Sequence, residues 1–180
     1  MVTMISASIV RHLMKVAIGA FALLAALIAD PAAAQDRPGP AVDLAVGWVG
    51  FADDGIVSEG LVGGAVRLYL LPRISVGPEI AYIAGPNHSH LVITGDVTCD
   101  LLSPTNGRPR RVNPFVVAGG GLFQTRQRFF NETFTSSEGA FTAGGGVTAL
   151  VGDRVTIGVD ARVGWEPHLR INGLVGLQLR

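Results

Sequence analysis

Two histidines separated by one serine are the residues of this 180-residue chain best suited to chemistry. His88, Ser89 and His90 lie in residues 85–90, a segment expected to be a loop. Imidazole nitrogens at this spacing can bind a metal ion, and a histidine beside a serine can form a hydrolytic pair. No Asp or Glu adjoins them in the sequence. We therefore expect a solvated loop, with no catalytic residue and no metal ligand assigned.

Two glycine runs, residues 119–121 and 144–146, are the second notable feature. A glycine-rich loop can cradle a phosphate, but such a loop needs a following lysine and a strand-to-helix context, and both runs lack these. Glycines within strands instead allow close approach of backbones or leave space for a side chain such as arginine. The runs therefore indicate tight packing rather than phosphate binding.

Charge and cysteine content exclude several classes of protein. The 14 Lys and Arg residues balance the 14 Asp and Glu residues, so a nucleic-acid binder that relies on a basic patch is not expected. The single cysteine, Cys99, excludes an internal disulfide framework and a cysteine-rich zinc site. The composition implies no cofactor.

The first 34 residues have the pattern of a cleavable secretory signal peptide. Two basic residues precede an apolar run over residues 16–28, and residues 32–34 are three alanines that form a cleavage site. The run is shorter than the roughly 20 residues that a membrane-spanning helix needs. We expect residues 35–40 to be a short polar leader and residues 41–180 to form one exported domain.

That domain contains eight stretches in which apolar and polar residues alternate, the pattern of half-buried β-strands. Between Val155 and Trp165 every odd position is apolar, whereas the even positions are polar or small, including Asp160 and Arg162. The stretches are residues 42–48, 62–70, 74–82, 90–101, 115–126, 141–151, 155–165 and 169–180. In the fifth stretch, Phe115, Val117 and Phe123 are assigned to the apolar face.

The polar faces carry few charges, which indicates that they line an interior. On a solvated surface roughly a third of the residues are charged. Each polar face here carries only one or two charged residues, and its other residues are mainly Gly, Ala, Ser and Thr. The apolar faces are then expected to meet lipid. An up-and-down strand order brings their aromatic residues to one rim, as an aromatic girdle at a membrane interface. The predicted girdle is Trp48, Tyr82, Phe123, Phe141 and Trp165.

The charges on the polar faces predict an ion-pair network inside the barrel. An eight-stranded barrel is just wide enough for side chains to fill it, so an open pore is not expected. Charges in a dehydrated lumen must be paired or hydrogen-bonded. The predicted network is Asp43, Arg67, Glu79, Asp96, Asp160, Arg162 and Arg170. We interpret it as a structural plug; a gated path for ions or protons is the alternative.

Residues 127–138 are expected to be an exposed loop with unusual apolar content. Exposed aromatic clusters often mark contact with a partner. The candidate contact residues are Arg128, Phe129, Phe130 and Phe134. Packing of the same side chains over the mouth of the barrel is the alternative.

Several strand patterns carry a resemblance to a known family. They are residues 113–121 (NPFVVAGGG), the glycine strand 143–147 with residues 150–154 after it, and residues 159–162. With these patterns, residues 41–180 resemble the small outer-membrane barrels of the OmpA-like type. The resemblance implies an all-β fold, an eight-stranded antiparallel up-and-down transmembrane β-barrel in the bacterial outer membrane.

We therefore expect a non-enzymatic, monomeric outer-membrane protein that serves envelope integrity or adhesion. Its expected partners are outer-membrane lipid and an extracellular ligand or surface partner bound through its loops; no nucleic acid is expected. Two alternatives remain at this point. A soluble lipocalin-like barrel would turn the apolar faces inward around an apolar ligand, and a lipid-modifying barrel enzyme would use His88 or Ser89.

Overall fold

The structure, a computed structural model, describes residues 37–52, 56–86, 88–104, 110–129 and 132–179. The predicted signal peptide, residues 1–34, lies outside these ranges, as do the first two residues of the predicted leader, and both remain predictions. Within the described ranges, no helix is long and apolar enough to cross a membrane.

The described chain forms eight strands, which confirms the number predicted from the alternation. They are β1 (Ala41–Ala52), β2 (Ile56–Leu71), β3 (Ile74–Ala84), β4 (His88–Asp100), β5 (Val112–Phe129), β6 (Glu132–Val151), β7 (Val155–Gly164) and β8 (His168–Gln178). Each strand pairs with its sequence neighbours, and β1 pairs antiparallel with β8. The sheet is therefore a closed up-and-down barrel without a free strand edge.

The two ends of the barrel differ in their connections. β1 begins and β8 ends at the same end, where Ala41 pairs with Gln178; we call this the lower end. Two of its turns are short, and in the turn between β6 and β7 Gly152 has a φ of 74°, which favours glycine. The opposite, upper end carries the β3–β4 and β5–β6 connections.

Apolar faces point outward on the barrel, because successive side chains of a strand project to opposite sides of the sheet. In β7, Val159 is 54% exposed whereas the adjacent Asp160 is 2% exposed. β1 and β8 follow the same rule, with Leu44 and Val175 exposed and Arg170 buried. The soluble lipocalin-like alternative is therefore wrong, since it required these apolar faces to line the interior.

The assignment of faces in β5 was wrong. Phe115, Val117 and Phe123 were expected to face outward, but all three are buried inside the barrel. Their outward neighbours are Val116 and Leu122. The strand is apolar on both faces and contains a glycine run, so alternation alone could not identify the inner side.

Residues 127–129 and 132–138, the described part of the expected loop, instead continue the β5–β6 ladder beyond the barrel wall. Gln127 pairs with Phe134, and Phe129 pairs with Glu132. The ladder between β6 and β7 begins only at Thr142. We call residues 127–129 and 132–134 the upper ribbon, a two-stranded extension of the wall at the upper end.

Inward-facing glycines of β6 allow β7 to approach closely. A Cβ atom on Gly144 would lie 2.7 Å from the Cα atom of Arg162, and one on Gly146 would lie 2.8 Å from the Cα atom of Asp160. Real Cβ atoms do not come this close to backbone atoms. The glycines therefore leave the space that the two charged side chains of β7 occupy, as one interpretation of the glycine runs predicted.

A leucine at Gly146 is expected to destabilise the barrel, because its side chain would overlap the backbone of β7 at Val159 and Asp160. The free energy of unfolding should fall by about 1–3 kcal/mol or more, the usual cost of overpacking. Urea unfolding in detergent micelles measures the loss. Gly95→Leu is the matched control, since Gly95 is exposed and has open space around it. Equal losses in both variants would contradict this account.

Candidate functional site

The centre of the lumen holds a cluster of five charged side chains, in which Glu79, Asp96 and Asp160 contact Arg162 and Arg170 contacts Glu79. Its Nη1 atom lies 2.8 Å from Asp96 Oδ2 and 2.8 Å from Glu79 Oε2, and its Nε atom donates to Asp160 Oδ2 at 2.7 Å. Arg170 Nη2 donates to Glu79 Oε1 at 2.5 Å. These contacts connect β3, β4, β7 and β8 across the barrel.

Asn172 also belongs to this cluster, and sequence analysis did not assign it. Its Nδ2 atom donates to Asp160 Oδ1 at 2.7 Å, so both oxygens of that carboxylate are occupied. Asn172 is two residues after Arg170 in β8, so both side chains face the interior. This alternation could have identified Asn172 from the sequence.

Asp43 and Arg67 form a separate pair between neighbouring strands. Arg67 Nη2 donates to Asp43 Oδ1 at 2.9 Å, and its Nε atom lies 2.5 Å from Asp43 Oδ2. All seven residues of the predicted lumenal network therefore make charged contacts. The structure divides them into the β1–β2 pair and the five-residue cluster around Arg162.

Little free space remains among these side chains. The cavity lined by Arg67, Glu79, Asp96 and Arg162 encloses about 40 Å³. A cavity of roughly 10–15 Å³ already admits one water, so this volume holds only a few waters. The charges consequently lie in an interior with little room for water.

A layer of apolar side chains lies inside the barrel between this cluster and the upper end. It consists of Val49, Leu61, Ala81, Ile83, Val92 and Phe123, all buried. Phe51 packs against the layer from above, and its ring lies 6.4 Å from that of Phe123. Sequence analysis missed this layer because it assigned Phe123 to the opposite face.

At the upper edge of the apolar layer, His88 and His90 face the interior and meet a carboxylate. The expectation of a solvated loop was wrong, because both histidines belong to β4, His90 is buried, and Glu59 of β2 reaches them across β3. His88 Nε2 contacts Glu59 Oε1, and His90 Nε2 lies 3.8 Å from Glu59 Oε2. The strand register brings Glu59 close to His88, because only Gly85 lies between them and it has no side chain to keep them apart.

Ser89 does not join this cluster. It is adjacent to His88 and His90 in β4, so its side chain projects to the other face of the sheet. The hydrolytic Ser–His pair considered from the sequence is therefore not formed by these neighbours.

Aromatic residues lie on the outer surface near the upper end. Trp48, Tyr82, Phe141 and Trp165 are all outward and exposed. Phe141 and Trp165 pack edge to face with ring centroids 6.1 Å apart, and Trp165 Nε1 donates to Glu138 Oε2 at 3.2 Å. Phe123, the fifth residue of the predicted girdle, is only 2% exposed and belongs to the lumenal apolar layer, which corrects that assignment.

Three of the predicted contact residues, Arg128, Phe129 and Phe134, lie in the upper ribbon. Phe134 is 57% exposed. The side chains of Arg128 and Phe129, and the whole of Phe130, lie outside the described part of the structure. Arg126 and Gln127, at the base of the ribbon, are exposed.

Solved structures of small outer-membrane barrels share this fold. The N-terminal β-barrel domain of Pseudomonas aeruginosa OprF aligns with a TM-score of 0.63 and 10% identity, covering 79% of this chain and 100% of that domain. Neisserial surface protein A aligns with a TM-score of 0.63 and 10% identity, covering 78% and 96% of the two chains. At these identities the alignments establish the fold alone.

A third similar structure is Ail, the attachment invasion locus protein of Yersinia pestis, in complex with the heparin analogue sucrose octasulfate. It aligns with a TM-score of 0.57 and 10% identity, covering 79% of this chain and 97% of that one. No curated protein matches the sequence significantly.

The family comparison covers most of the chain. A family model described as the outer membrane protein beta-barrel domain matches residues 19–173. The match agrees with the closed eight-stranded barrel, its apolar outer surface and its charged interior. The chain therefore belongs to the outer membrane protein β-barrel domain family and is located in the bacterial outer membrane.

Proposed function

We propose that this protein is a non-enzymatic, monomeric outer-membrane barrel whose lumen is a structural plug and whose upper end contacts extracellular partners. The single observation that carries the proposal is the convergence of Glu79, Asp96 and Asp160 on Arg162 in a lumen with little room for water. A barrel filled in this way serves as a rigid element of the envelope. Its interactions with the surroundings then depend on its exposed ends.

The cluster around Arg162 supports the plug over an ion path. Arg162, Glu79 and Asp96 are almost completely buried, so each charge depends on its partners instead of on water. A path for ions would need a continuous wet channel, whereas the apolar layer lies above the cluster. Opening such a path would break several charged contacts at once.

The upper ribbon supports an orientation with the upper end outside the cell. Outer-membrane barrels have short periplasmic turns and longer extracellular segments. The ribbon and the tight lower turns after β2 and β6 follow this pattern, whereas the eleven-residue connection between β4 and β5, residues 101–111, lies at the lower end and departs from it. Four exposed aromatic residues near the upper end then form a girdle at the outer interface of the membrane, defined by Trp48, Tyr82, Phe141 and Trp165.

The upper ribbon supports a role in surface contact. It projects beyond the β6–β7 ladder and exposes Phe134, a large apolar side chain. Residues 126–138 contain two Arg and two Glu residues, so net charge alone does not favour a polyanion over other partners. Aromatic contact is the chemistry that the ribbon favours, and a sulfated polysaccharide, as in the Ail complex, is the alternative ligand class to test.

Replacing Arg162 by methionine is expected to destabilise the barrel without opening it. The change leaves three buried carboxylates with Arg170 as the remaining cation of the cluster, and breaking a buried ion pair typically costs about 3–5 kcal/mol. Urea unfolding measures the loss, and planar-bilayer recording measures conductance. Arg154→Met, in the exposed lower turn, is the matched control and should change neither.

The opposite result would favour an ion path. An Arg162→Met barrel that keeps its unfolding free energy but conducts ions above the level of the unaltered protein would overturn the plug. The unaltered protein should itself show no steady conductance in the same bilayers.

A Phe134→Ser change is expected to weaken surface contact while leaving assembly intact, since Phe134 is exposed beyond the barrel wall. Retention of protein-containing nanodiscs on a phenyl-coated surface should fall at least threefold in the variant, and retention of the unaltered protein should not decrease as salt is added. Val151→Ser is the control, because Val151 is an exposed apolar residue at the lower end. Retention on immobilised heparin that decreases with salt, unaffected by Phe134→Ser, would instead indicate a charge-based contact.

A further inference from the structure

The side chain of Glu59 is an unusual buried group that the plug does not use. It is fully buried, and neither of its carboxylate oxygens accepts a hydrogen bond. A buried carboxylate without hydrogen bonds is costly, so such a group normally has a cation beside it. Its only described neighbours of suitable chemistry are the imidazole rings of His88 and His90.

The three side chains have the geometry of a metal-binding group. One donor atom from each of Glu59, His88 and His90 can be chosen so that all three lie within 4.8 Å of one another. Tetrahedral Zn²⁺ with bonds of about 2.0–2.1 Å separates its donor atoms by roughly 3.3 Å. Modest side-chain adjustment therefore brings the three donors to zinc distance.

Thr125 orients one of the histidine ligands. His90 Nδ1 lies 3.0 Å from Thr125 Oγ1, on the neighbouring strand β5. When Nδ1 of the neutral ring donates this hydrogen bond, Nε2 carries a lone pair and lies 3.8 Å from Glu59 Oε2. Two hydrogen-bond acceptors this close repel each other unless a cation lies between them. A histidine that binds a metal through one ring nitrogen commonly donates a hydrogen bond through the other, as Nδ1 of His90 can to Thr125.

Gly85 provides the space in which the donors meet. A Cβ atom there would overlap Glu59 Oε1 and lie 2.7 Å from His88 Nε2. His88 is partly exposed and, with His90, lines an open cavity of about 470 Å³ at the upper end, so ions have a route from outside. The site is thus buried on the Glu59 side and open on the His88 side.

From these observations we infer that Glu59, His88 and His90 form a binding site for one Zn²⁺ ion at the upper mouth of the barrel. Two imidazoles and a carboxylate are a donor set that zinc accepts, with the fourth position left for water from the open cavity. The ion would connect β2 to β4 across Gly85. The inference is independent of the role of the Arg162 cluster, from which the apolar layer separates the site.

Calorimetric titration of the barrel with ZnCl₂ tests the site. The protein is prepared without a polyhistidine tag and in a neutral detergent, because tags and anionic lipids bind divalent cations. We expect one Zn²⁺ per chain, with affinity at least 100-fold weaker in Glu59→Gln. Co²⁺ added in place of Zn²⁺ should give the intense visible absorption of a tetrahedral site, and this absorption should be lost in the same variant.

His168→Gln is the matched control. His168 is at the same end, but its Nδ1 atom is held by the carbonyl oxygens of Trp165 and Glu166, so zinc affinity should change less than twofold. If Glu59→Gln does not assemble, the partly exposed His88→Gln and the space-filling Gly85→Ala provide the same comparison. Unchanged affinity in the assembled ligand variants, or loss of binding in His168→Gln alone, would overturn the inference.

Discussion

The requirement that a buried charge have a partner governs the interior of this barrel. Eight strands enclose too little room for a water-filled channel, so Arg162 can be accommodated only because Glu79, Asp96 and Asp160 surround it. Those carboxylates come from three different strands. The cluster thus connects distant parts of the wall, and any change in strand register would leave charges unpaired.

Packing around the charges follows from the same requirement. Gly144 and Gly146 have no side chains where Arg162 and Asp160 approach, and Gly85 leaves the corresponding space between Glu59 and His88. Elsewhere glycine weakens a strand, because it adds no packing surface and loses more conformational entropy on folding. In this lumen it provides space that a larger residue would remove.

The lumen is layered along the barrel axis, and the layers separate two kinds of chemistry. The Arg162 cluster is enclosed and its charges are largely satisfied by one another. The apolar layer that contains Ile83 and Phe123 lies above it and excludes water from that direction. Glu59 and the two histidines lie at the upper edge of this layer, beside a cavity open to the outside, where exchange with ions in solution is feasible.

The amino-acid sequence by itself determined the number of strands, the outward direction of most apolar faces and most of the charges inside, although not Glu59. Alternation carries this information because neighbouring residues of a strand project to opposite sides. It failed at Phe123, where both faces of the strand are apolar. Only the tertiary structure decided which groups meet: Arg162 with Glu79, and Glu59 with His88. Those meetings depend on register across several strands and on the gaps left by glycine, neither of which a local pattern contains.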